Sequence, residues 1–93
     1  MASKESLKEF VLFIYSLNNL EQKKKVKVIR DLFGYKNHIN GKDYSHEGLL
    51  QKTNSQKLAQ NVILVPLSDS FKFTNYFNQN QVKVEVKEVF VKE

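Results

Sequence analysis

The chain reads as an α+β domain: an N-terminal helical hairpin, a β-hairpin, then a β-α-β ending. Three patterns predict it. Apolar residues recur at helical spacing through the first 33 positions, and Asn40-Gly41 separates two short strand-like segments. Finally, the apolar run 61–65 precedes a helical stripe and a stretch of period two. At 93 residues, 41% hydrophobic, with seven phenylalanines and four tyrosines, residues 1–93 make a single domain with one core and too much apolar mass for intrinsic disorder. No cysteine is present, so packing rather than disulfides must hold the fold, and thiolate metal sites are excluded.

The first helix is expected from Ser3 or Ser6 to Asn18. Ser6 and Glu9 have capping-box spacing, and Leu7, Phe10, Val11, Ile14 and Leu17 follow the i, i+3, i+4, i+7 rule. Leu12, Phe13 and Tyr15 extend the apolar surface almost all the way round, which requires a central position or a partner chain. A buried strand over Phe10–Tyr15 is the competing reading. The run is too short to span a bilayer, and the interleaved Glu5 and Glu9 do not suit a targeting signal, so a soluble, cytoplasmic protein is expected.

Asn18-Asn19 ends that pattern, and Asn19 with Gln22 offers a second cap. A second helix follows from Leu20 to Phe33, with Val26, Ile29, Leu32 and Phe33 as its inner face and Gly34 as its C-cap. Residues 35–47 form a hairpin, because Asn40 and Gly41 both accept the positive φ of a type I′ turn. Positions summing to 81 then face each other: Ile39 with Lys42, His38 with Asp43, Asn37 with Tyr44, Tyr35 with His46. Short helical turns are expected over 49–60. A strand covered on both faces ends at Pro66, and a helix follows with Phe73, Tyr76 and Phe77 inward. From Val82 to Lys87 apolar residues alternate. The phase slips at Glu88, which predicts a bulge or a second buried face.

The net charge of +5 is concentrated in the first two thirds of the chain: residues 1–34 carry +3, 35–60 carry +2, and 61–93 are neutral. Lys23, Lys24, Lys25, Lys27 and Arg30 thread through the second helix, with Lys23, Lys27 and Arg30 on its outer face. Lys36 and Lys42 extend the patch along the hairpin. A clustered basic face is the footprint of a polyanion partner, although lysines also simply keep small proteins soluble. Lysine outnumbers arginine, which suits phosphate attraction over base readout, so contact with nucleic acid should be weakly sequence-selective. Tyr35 and Tyr44 are candidates for base stacking.

His38, Asp43, His46 and Glu47 are the sole cluster resembling a catalytic or metal site. Two imidazoles are too few for a converging ligand set, so a solvated turn is the ordinary explanation. No Gly-rich phosphate loop, nucleophile elbow or paired carboxylate is present, and neither a cofactor, a metal nor enzymatic activity is expected.

Three segments, Leu32-Phe33-Gly34-Tyr35-Lys36, Glu47-Gly48-Leu49-Leu50 and Asn61-Val62-Ile63-Leu64-Val65-Pro66, together resemble the small accessory subunits of the crenarchaeal family B DNA polymerase. That resemblance implies a non-catalytic protein bound to a polymerase, with no active-site residues to carry over. The leading expectation is therefore a basic accessory protein acting beside nucleic acid. One alternative is a protein-interaction module or homodimer, using the apolar first element or the bare strand Val82–Val91. Another is transcription regulation through the helical pair, since helix-turn-helix readers also place two helices around a tight turn.

Overall fold

The structure, a computed structural model, describes residues 7–92. The elements run β1 (Leu7–Ser16), α1 (Gln22–Phe33), β2 (Tyr35–Ile39), β3 (Lys42–His46), β4 (Gln56–Ala59), β5 (Val62–Pro66), a 3-10 turn (Leu67–Asp69), α2 (Ser70–Gln79) and β6 (Lys83–Lys92). Strands hold 45% of these residues and helices 29%, so sheet dominates.

The expected N-terminal helical hairpin is absent. Its first member is a ten-residue strand, and the helix over 22–33 follows it alone. The physical reason lies in the residues that made the helix look apolar all round. Phe10-Val11-Leu12-Phe13-Ile14-Tyr15 is wholly β-branched, aromatic or leucine, and a strand buried on both faces needs no polar side at all. Val11, Phe13 and Tyr15 point to one face and are buried; Phe10, Leu12 and Ile14 point to the other and are half-buried. Ser3 and Ser6, proposed as caps, lie outside the described residues. The helix-turn-helix alternative loses the helical pair on which it rested.

β1 is the second strand from one edge of a four-stranded sheet, ordered β4-β5-β1-β6, in which every neighbouring pair is antiparallel. β5 and β6 therefore run parallel to each other. The expected β-α-β ending is present as β5-α2-β6, but β1 lies between its two strands. Both helices cover one face of this sheet. Val28 and Leu32 of α1 and Phe73 and Phe77 of α2 close over Val11, Phe13, Tyr15, Ile63 and Val65, with Leu50 and Val82 completing the core. Phe13 is its centre, with ring centroids 5.9 Å from Phe73 and 5.5 Å from Phe77. The opposite face carries no helix among the described residues. Its centre is apolar nonetheless, lined by Phe10, Leu12, Ile14, Val62, Leu64, Pro66, Val89 and Val91, while Lys83, Glu85 and Lys87 share the β6 side of it.

β2 and β3 form a separate ribbon whose register is the one read from Asn40-Gly41: Tyr35 faces His46, and Ile39 faces Lys42. Asn40 and Gly41 have φ of 53° and 78°, as a type I′ turn requires. None of its ten strand residues is buried, so the ribbon stands off the body. Residues 49–54 are turns, as expected, but 56–59 pair as β4. No bulge occurs at Glu88. β6 holds register with β1 from Lys83 to Lys92, and the phase slip follows the other expected route: Val89 and Val91 lie half-buried on the opposite face of the strand from Val84 and Val86. Among the described residues no helix is long and apolar enough to cross a membrane.

Candidate nucleic-acid interface

α1 is turned relative to its expected orientation. Val28 and Leu32 face the core, while Val26 and Ile29, assigned inward, are exposed. Helical geometry explains the shift. At 100° per residue, Val28 and Leu32 share a stripe that both rows of the sheet can cover, and Val26 lies opposite it. The outward stripe is therefore Lys23, Val26, Lys27 and Arg30, cations interleaved with an aliphatic residue. Lys24 and Lys25 flank the buried stripe on its two sides and are half-buried, their stems lying along apolar surface in the manner of long cationic side chains.

The helix meets the ribbon through a stack. The Arg30 guanidinium lies over the Tyr35 ring, 4.9 Å from its centroid. Tyr35 in turn stacks on His46 with centroids 4.4 Å apart and planes within 13°. Alternation along the ribbon puts Tyr35, His46, Asn37, Tyr44, Ile39 and Lys42 on this same face, and Lys36, Ser45, His38 and Asp43 on the reverse. Lys23, Arg30, Tyr35, Tyr44 and Lys42 thus share one surface. Lys36 does not join them. Along the outer face of α1 runs a shallow groove of about 460 Å³, lined by Gln22, Lys23, Val26, Lys27, Arg30 and Asp31 and reaching the ribbon at Tyr35 alone.

Two of the proposed contacts are already engaged within the chain. Lys27 donates to Asp31 at 2.8 Å and approaches the Asn80 side-chain oxygen at 3.5 Å, so its charge is largely matched. The Tyr76 hydroxyl donates to the same Asp31 oxygen at 2.6 Å, tying α2 to α1 at the surface. Burial raises the Asp31 carboxyl, but the hydrogen bonds from Lys27 and Tyr76 and the lysine charge outweigh it and hold the group below its ordinary value. Burial, reinforced by the facing carboxylate, pushes the Tyr76 phenol well above the usual tyrosine range. Tyr35 is the second engaged residue, its ring being covered by Arg30 and His46. Tyr44, 46% exposed, keeps its ring open to solvent.

The His38–Asp43 side-chain contact is close at 2.6 Å but highly exposed on both sides, so it is of small energetic consequence. His46 points to the opposite ribbon face from His38, so the two imidazoles do not converge. Among the described residues no group of three or more His, Asp or Glu is placed to hold a metal ion. Sequence reasoning missed three members of this surface: His46 as a stacking partner, and Val26 and Ile39 as exposed apolar contacts. The hairpin register already set His46 against Tyr35. Nothing in the sequence placed Arg30 above them. Lys57 of β4, over the Phe33 ring at 4.8 Å, is a further cation that no motif signalled. No protein-family model, curated protein or solved structure matches the chain.

Proposed function

We propose that the protein is a non-enzymatic basic accessory protein that contacts nucleic acid through the outward stripe of α1 and the adjoining ribbon face. The observation that carries this reading is the Arg30–Tyr35–His46 stack, which joins the basic helix and the aromatic ribbon into one surface. Lys23 and Arg30 supply phosphate attraction, Lys42 extends it along the ribbon, and Tyr44 offers a ring on which a base can stack. Stacking on Tyr35 holds the guanidinium plane in place, so less freedom is lost when a phosphate binds. With a single arginine and one exposed ring on this surface, the contact is weak and sequence-independent. A role beside a DNA polymerase, as the resemblance implies, fits such a surface.

The test is fluorescence anisotropy of labelled single- and double-stranded DNA over a salt series. Three or four engaged phosphates give a log–log slope of about −3 on duplex. Lys23→Glu combined with Arg30→Glu should abolish binding while circular dichroism stays unchanged. Equal affinity of this variant at low salt overturns the proposal.

A further inference from the structure

β6 is an edge strand, and among the described residues nothing pairs with its outer edge. It runs ten residues with neither proline nor bulge, in unbroken register with β1. Edges of this length are normally blunted by proline, a bulge, charged side chains or a covering element; β6 carries the charges alone, in Lys83, Glu85, Lys87, Glu88 and Lys92. Phe90, on the helix-covered side of the sheet, is 60% exposed, and Leu7 beside it is 58% exposed. On the reverse face Val89 and Val91 lie next to Phe10 and Lys8 of β1.

The charge pattern of β6 identifies what fits this edge. Two copies related by a two-fold axis pair residues whose numbers add to a constant, and paired residues must share a face of the sheet, so that constant is even. An axis at Glu85, Lys87 or Glu88 sets a charge against itself. An axis at Val86 sets Val84 against Glu88 and Lys83 against Val89; one at Val89 sets Glu88 against Phe90. An axis at Phe90 behaves differently. Phe90 meets the second copy's Phe90, Val89 meets Val91, and Glu88 meets Lys92, each of the last two pairs occurring twice. Of the registers that join five or more residues of β6, this one alone matches every pair in kind.

Within one chain these charges have no such partner. Glu88 lies opposite Val11 and Lys92 opposite Leu7, and neither joins an ion pair among the described residues. We propose that the protein self-associates through β6, a second copy pairing antiparallel with the first about a two-fold axis at Phe90. The two four-stranded sheets become one, Phe90 and Leu7 of both copies form a small apolar cluster, and residues 88–92 of both edges are paired. The ladder is short. Its area falls well below the roughly 1,200–2,000 Å² of a standard stable interface, so the dimer is weak and concentration-dependent.

Sedimentation equilibrium of the full chain without nucleic acid, over a concentration series, tests the proposal independently of the basic surface. A reversible monomer–dimer equilibrium is expected. Glu88→Lys and Lys92→Glu should each weaken it about tenfold, since either change sets like charges opposite one another twice. Mixing the two single variants should then form a heterodimer stronger than either homodimer, and the double variant carrying both changes should recover the original strength. Circular dichroism checks that each variant folds. A monomer at every concentration overturns the proposal, and so does a dimer whose strength ignores both charge reversals.

Discussion

Gly34 and Gly48 meet backbone to backbone at the foot of the ribbon, with no room for a side chain on either. A Cβ on Gly48 would fall 2.5 Å from the Leu32 carbonyl oxygen and closer still to the Gly34 nitrogen; one on Gly34 would fall 2.5 Å from the His46 oxygen. Around this contact Leu49 N–H donates to the Asp31 carbonyl at 2.8 Å and Leu50 N–H to the Leu32 carbonyl at 2.9 Å. The Gln51 side chain bridges the same join, accepting from Gly48 N–H and donating to the Phe33 carbonyl, each at 2.8 Å. The strands leave α1 and return to it through one pinned point.

Gly48→Ala should therefore destabilise the protein by at least about 3 kcal/mol, because the clash is with backbone that cannot rotate away. Gly41→Ala at the ribbon tip provides the contrast. Nothing lies within 4 Å of its Cβ position, and only the positive φ of 78° opposes it, a cost of about 1–2 kcal/mol. Urea denaturation of both variants separates the two mechanisms.

Phe13 has no exposed surface and touches both α2 phenylalanines. Phe13→Ala removes the side chain that joins the helix layer to the central strand, and a loss of about 3–5 kcal/mol is expected by chemical denaturation. In a domain this small such a loss takes most of the stability.

Acid should loosen the α1–α2 contact. The folded-state value of Asp31 is depressed, so its contribution to stability is present above the ordinary aspartate range and is lost as pH falls through the lowered value. Melting temperature followed from pH 6 downward should fall less steeply in Asp31→Asn than in the parent below about pH 4. Equal slopes would show that the Asp31–Tyr76 hydrogen bond does not contribute.

Alkali acts on the other partner. Burial raises Tyr15, and burial with the Asp31 carboxylate raises Tyr76. Both groups support the fold fully below the ordinary tyrosine value of about 10, and that support is lost as pH rises toward their folded values. Tyrosinate absorbance should show a late pair of ionisations coincident with unfolding, and Tyr76→Phe should remove one of the two.

The parts of the fold legible in the sequence were those governed by local rules. Asn40-Gly41 set the ribbon register residue by residue, Pro66 closed β5, and Phe73, Tyr76 and Phe77 marked the inner stripe of α2. β1 was misread because an apolar surface on all sides of a helix and one on both sides of a strand look the same over ten residues; what decides between them is the pairing with β5 and β6, more than 45 positions away. The rotation of α1 was hidden for the same reason. Lys23 and Arg30 were legible as outward cations, whereas Lys27 was quenched by an aspartate one turn on, and Lys36 fell on the wrong ribbon face by alternation alone.

The central place of β1 has a consequence for the order of synthesis. Leu7 to Ser16 leave the ribosome well before their ladder partners on one side, residues 83–92. Until those emerge, the strand carrying Phe10–Tyr15 has one edge open and the four-stranded sheet cannot close before β6 is made. A nascent chain stalled before β6 presents the same unpaired segment, making the interval between the two strands the period in which this protein most needs protection from aggregation.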